Sequence, residues 1–231
     1  MKKIHHVMSI GAHALDAELM GGPVAIKYTR QGHKATFVHI TRGERGNKKK
    51  APEEYGKQLE MEMPTVAEAM GAKSHWMGYI AGNLPSEDVI KKDLCKLIRE
   101  EKPDIIITHW RGSLHPRHVL THDAVLEAVK MAADRDYDTN QEPHTVDYVY
   151  FGENCEDLYG FIPQIYIDIE DTFGQWFEAL MHYELFRANE ANVPYQDYYR
   201  TMAQIRGVEI GTQKLSKAFM IAQRAQEYLH V

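Results

Sequence analysis

Ile10-Gly11-Ala12-His13-Ala14-Leu15-Asp16-Ala17-Glu18-Leu19-Met20-Gly21-Gly22 is the stretch on which the reading of this chain turns. An apolar run from Ile4 to Ile10 precedes it, and a helical pattern from Leu19 to Gln31 follows, stopped by Gly32. His13 and Asp16 therefore project from one strand-to-helix turn, and an imidazole beside a carboxylate is a good start for a divalent metal site. A further candidate lies in Leu114-His115-Pro116-Arg117-His118, where another strand (Asp104 to Thr108) gives way to a helix (Val119 to Asp134). Ligands from two strand ends would meet at the carboxyl edge of an open α/β sheet, which is where such folds place their active sites.

Outward from these junctions the alternation continues. Val7 to Ala12, Lys34 to Thr41, Ser74 to Ile80, Asp104 to Thr108, Asp147 to Phe151 and Gln164 to Ile169 read as strands. Pro52 to Met70, closed by Gly71, and Ser86 to Glu100, with Ser86 as N-cap, read as helices. Thr172 to Glu190 and onward to Leu229 reads as mostly helical. Strands alternating with helices predict a Rossmann-like α/β fold over residues 1–231: one domain with a mostly parallel sheet, helices on both faces and a helical C-terminal region. The polar loop from Asp136 to Thr145 is placed to border a substrate cleft. No Gly-x-Gly-x-x-Gly, P-loop or Gly-x-Ser-x-Gly motif occurs, which disfavours dinucleotide, P-loop and serine-hydrolase readings.

Bulk properties narrow the partners. The chain has 231 residues, 44% hydrophobic and 26% charged, ordinary values for a globular protein that buries a core. A net charge of -6, with no basic stripe, argues against nucleic acid or an anionic membrane and leaves a small molecule as the expected substrate. Lys48-Lys49-Lys50 reads as a solvated loop. Cys95 and Cys155 are too few for a disulfide framework, and Cys95 falls among the apolar positions of a helix. Neither an export segment nor a membrane span is visible, so a cytoplasmic location is expected. Phe173, Trp176, Phe177, Leu180 and Tyr183 form an aromatic helix face suited to packing or to a subunit contact, and a homo-oligomer is expected.

Three motifs stand in a telling order: Ala12-His13-Ala14-Leu15-Asp16-Ala17-Glu18, then Thr41-Arg42-Gly43-Glu44, then His115-Pro116-Arg117-His118. The chain thereby resembles the PIG-L (LmbE-like) family of metal-dependent N-deacetylases. That family carries Ala-His-Pro-Asp-Asp-x-Glu, Thr-Arg-Gly-Glu and His-Pro-Asp-His at the ends of its first, second and fourth strands. Tyr166-Ile167-Asp168-Ile169 resembles its last strand. The resemblance implies His13, Asp16 and His118 as the ligands of a metal, zinc above all, and His115 as the residue that stabilises the tetrahedral oxyanion. It implies removal of an acyl group, acetyl above all, from an amino sugar or related metabolite.

Two positions depart from the pattern. Leu15 stands where the family has its general base, and Arg117 stands where an Asp orients the histidine before it. Arg117 is expected to keep His115 neutral by like-charge repulsion. The proton acceptor must then be His115 itself, a carboxylate such as Glu44 or Asp123, or the substrate. Arg42, Glu44 and Arg111 are the substrate-contact candidates, though Arg42 also suits a loop salt bridge, and Glu18 and Glu44 also suit structural roles. His109, Trp110 and Arg111 are expected to line the cleft, while His122 either reaches the site or faces solvent. Two rivals remain: a metal-dependent lyase or isomerase, and a metal-binding subunit without catalysis.

Overall fold

A computed structural model describes residues 4–137, 140–188 and 193–222. Its strands are β1 (His6–Gly11), β2 (Lys34–Thr41), β3 (Lys73–Tyr79), β4 (Ile105–Thr108), β5 (Tyr148–Gly152), β6 (Ile165–Asp168) and β7 (Ser216–Ile221). Its helices are α1 (Asp16–Arg30), α2 (Pro52–Ala69), α3 (Glu87–Glu101), α4 (Pro116–Ala133), α5 (Glu170–Leu180), α6 (Glu184–Arg187) and α7 (Tyr195–Glu209). The strands form one sheet in the order β3-β2-β1-β4-β5-β7-β6. β1 to β5 pair in parallel, and β7 runs antiparallel between β5 and β6. The α/β, mostly parallel architecture expected from the alternating pattern is what the chain adopts.

Side-chain alternation along the central strands divides the core in two. Val7, Phe37 and Ile107 join a cluster that runs under α1, α2 and α5. Met8, Ile10, Val38, Ile40 and Ile106 join a second cluster under α3 and α4. Buried Cys95 belongs to the second cluster, and the aromatic face of α5 belongs to the first. Helices cover both faces, and the carboxyl ends of the parallel strands form one rim. Chain order reverses between β1 and β4, which makes a crevice at that rim.

Two expectations change here. The C-terminal region is not helical throughout, because β7 completes the sheet. Its run Ser216–Ile221 is short and apolar, and periodicity does not separate such a run from a buried helix segment. Ser86 does precede α3 in extended conformation, but its side chain makes no capping hydrogen bond. The helix expected onward to Leu229 touches residues 189–192 and 223–231, and the loop of 136–145 touches 138–139; those positions lie outside the described residues. No helix among the described residues is long and apolar enough to cross a membrane.

Candidate active site

The β1–α1 turn is built around close backbone approach. A Cβ at Gly11 would lie 2.6 Å from the Ala17 nitrogen and 2.7 Å from the Asp16 Cβ, so only glycine lets the first turn of α1 fold back over the strand end. Leu15 takes the N-cap position in the left-handed region, at φ 83°. The next loop locks the turn in place: Thr41 N–H donates to the Ala12 carbonyl at 2.9 Å. Asp16 then accepts from the His13 backbone N–H at 2.9 Å and from the Asn154 side-chain amide at 3.2 Å.

Around Asp16 the imidazoles gather. Its Oδ2 lies 3.1 Å from His13 Nδ1 and 3.4 Å from His118 Nε2. One ligating atom from each of His13, Asp16 and His118 falls within 4.8 Å of the others. His118 Nδ1 donates to buried Asp157 at 2.7 Å, which turns Nε2 toward the cluster. His109 Nδ1 donates to the other Asp157 oxygen at 2.6 Å, while its Nε2 accepts from the Ala12 N–H at 3.0 Å. Both nitrogens of His109 are thus spent. The buried group His109, His118 and Asp157 is a hydrogen-bonded support, whereas His13, Asp16 and His118 present two nitrogens and an oxygen to one point, a donor set that fits zinc. Burial would raise the Asp16 carboxyl, but the His118 charge holds it well below the usual range. Burial likewise opposes the ionised form of Asp157, and the paired His109 and His118 bring it down to about 2.

A cavity of about 390 Å³ opens over this cluster. His115, N-cap of α4, lines it, and its Nδ1 accepts from the Arg117 backbone N–H at 3.2 Å. The proton of the neutral ring therefore sits on Nε2. Burial, together with the charges of His13 and His118, pushes its pKa down to about 4. Neutrality thus comes from burial and neighbouring imidazoles, not from the Arg117 charge that sequence reasoning invoked; the contribution of Arg117 seen here is its backbone N–H. Glu156 also lines the cavity, with Oε2 3.7 Å from His118 Nε2, and burial raises its pKa above the ordinary carboxylate value.

The remaining candidates divide. Arg42 lines the cavity, ion-paired to Glu60 and lying 4.9 Å from the Trp76 ring centroid. Glu44 is 2% exposed with neither oxygen hydrogen-bonded, its nearest cation being Arg42 Nε at 3.9 Å. Arg111 lies outside the cavity wall, exposed and paired to Asp123 at 3.3 Å, which also takes Asp123 away from the reacting centre. Trp110, likewise off the wall, donates to the Tyr159 carbonyl. His109 is buried beneath the cleft, not at its surface, and His122, also buried, donates to the His109 carbonyl at 2.9 Å. Glu18 is structural: it receives His39 at 2.9 Å and the Tyr183 hydroxyl at 2.9 Å. Asn154, Glu156 and Asp157 were absent from the sequence-level set. They follow β5 at the same rim as the other ligand-bearing loops, and that position was the available signal.

The chain is similar to proteins of known family and structure. A family profile described as GlcNAc-PI de-N-acetylase, PIG-L, matches residues 8–129. A mycothiol S-conjugate amidase of Streptomyces coelicolor is 27% identical, over 88% of this chain and 73% of its own length. The structure of N,N'-diacetylchitobiose deacetylase from Pyrococcus horikoshii superposes with a TM-score of 0.82 at 24% identity, over 95% of this chain and 84% of that one. A 4-carboxy-2-hydroxymuconate hydratase from Pseudomonas putida KT2440 superposes with a TM-score of 0.83 at 16% identity, over 98% and 100% of the two chains.

Proposed function

This chain belongs to the GlcNAc-PI de-N-acetylase (PIG-L) family, and from that membership we propose that it is a zinc-dependent hydrolase that cleaves the amide of an acylated amino sugar or related small metabolite. The observation that carries the reading is the convergence of His13, Asp16 and His118, with His118 turned by Asp157 so that Nε2 faces the cluster. When bound there, zinc supplies Lewis acidity that polarises a carbonyl and acidifies water. His115 Nε2–H is placed to donate to the oxygen that gains charge as the carbonyl becomes tetrahedral. Glu156 takes the place that Leu15 leaves empty: its carboxylate accepts the proton of the attacking water and passes it to the departing amine nitrogen. Burial suits it to this exchange by raising its pKa. The activities of the amidase and deacetylase relatives support the amide substrate.

A second reading draws on Leu15. Without a carboxylate at the family's base position, the same cavity also suits addition or elimination of water at an activated double bond, and the hydratase of similar fold supports that alternative. The test is amine release from a panel of N-acetylated amino sugars by zinc-loaded protein, with Glu156→Gln beside it. The expected result is turnover by the parent and a loss of roughly 10²- to 10⁴-fold in the variant at unchanged zinc content. No amine from any member, alongside an ultraviolet absorbance change with unsaturated acids, would shift the assignment to the second reading.

A further inference from the structure

Three arginines line the active-site cavity: Arg42, Arg45 and Arg117. Arg42 is occupied by Glu60. The other two are not: among the described residues neither Arg45 nor Arg117 has a side-chain hydrogen bond or an ion pair, the Arg117 interaction being through its backbone N–H. Arg45 is exposed and Arg117 is half-buried. The Arg45 side chain lies against Gly82, where a Cβ would come within 2.9 Å of its Nε. Arg117 is the second residue of α4, fixed between the N-cap His115 and the ligand His118.

The arrangement adds positive charge to the cavity. Arg117 stands in the first turn of a helix that carries no acidic residue there, so its charge meets the positive end of the backbone dipole. Arg45 adds a second charge to the same wall, and a divalent ion at His13, Asp16 and His118 would add two more. Against these stand Asp16, which is engaged by two imidazoles and an amide, and Glu156. Surplus positive charge around a cleft focuses field on a small anion, and the planar fork of arginine matches a carboxylate with two parallel hydrogen bonds.

We propose that Arg45 and Arg117 form an anion subsite that holds a carboxylate of the substrate, so that the molecule turned over here carries a carboxylate close to its reacting carbonyl. The proposal deepens the functional reading and rests on this cavity being the active site. It narrows the substrate from neutral acylated sugars to acids.

Calorimetric binding of succinate and of its neutral counterpart succinamide to the zinc-loaded protein tests it, in the parent, Arg45→Gln, Arg117→Gln and the double variant. The expected result is succinate affinity reduced roughly tenfold by each single change and further by both, with zinc content and succinamide binding unchanged. Two variants on different elements keep the test open should one of them fold poorly. Succinate binding that survives in the double variant would assign the anion to the zinc itself and overturn the subsite. Inorganic phosphate binding tightly in the parent while succinate does not would overturn the carboxylate assignment. Amine release separates this from the functional reading. Amine release by the parent together with succinate binding that the double variant leaves unchanged refutes the subsite alone, whereas succinate binding that depends on both arginines without amine release supports the subsite and refutes the hydrolase.

Discussion

Leu15 concentrates what is unusual about this chain. It sits at φ 83°, buried, on the wall of the cavity, in a conformation that costs a branched side chain about 1–3 kcal/mol. An Asp or Asn tolerates that region better, and an Asp there would also accept a proton. The fold therefore keeps a βα turn whose shape suits an acid, and the proposed mechanism gives the acid's part to Glu156, which lines the same cavity. His115 has not moved. Its Nδ1 is occupied and its pKa lies near 4, so at neutral pH it is an uncharged donor. His115→Ala should accordingly lower turnover by ~10²- to 10³-fold while binding zinc as the parent does and melting within a few degrees of it. Activity together with elemental analysis checks this. Retention of full turnover would remove His115 from the chemistry, and loss of zinc would make it a ligand.

At the scale of elements, the loop after β5 does the work that was hardest to foresee. Asn154 steadies Asp16, Asp157 orients His118 and His109, and Glu156 faces the cavity, all within one short segment. Removing the orienting carboxylate should weaken zinc binding about 10- to 100-fold. Asp157→Ala measured by competition with a chromogenic chelator checks this, and an unchanged affinity would reduce Asp157 to a packing role. The contrast with the β1–α1 and β4–α4 junctions is instructive. There the residues announce themselves: His13 and Asp16 at a fixed spacing after an apolar run, and His115 and His118 bracketing a proline at a helix start. Glu153-Asn154-Cys155-Glu156-Asp157 has no such spacing, and an acidic loop reads as a solvated one. Most of the alternation of strand and helix was legible because each element has its own hydrophobic period. β7 was not, since its placement between β5 and β6 depends on long-range pairing that no local pattern encodes. Glu18 was legible as a residue and not as a role, because only the fold brings His39 and Tyr183 to it.

For the molecule as a whole, the sheet order places the reversal point between β1 and β4, and everything chemical follows from that crevice. Two cores, one on each face, make the rim rigid enough to hold two imidazoles and a carboxylate at one point. That convergence has a cost in the absence of a cation. Burial opposes a charge on His118, yet the carboxylates of Asp16 and Asp157 push its pKa up to about 10, so at neutral pH a proton occupies the position a metal would take. The sign follows directly. Because this folded-state pKa lies above the ordinary 6.5, the proton stabilises the metal-free fold below that value, and the benefit is lost as pH rises through about 10. A metal entering at neutral pH must displace the proton, so apparent affinity rises with pH.

Calorimetric titration of zinc into chelator-stripped, tag-free protein at pH 7 in two buffers of different ionisation enthalpy tests the account most directly. The expected result is a saturable site with about one zinc per chain and about one proton released for each zinc bound, both absent in His118→Ala. No saturable binding in the parent, or a His118→Ala variant that takes up zinc as the parent does, would contradict it.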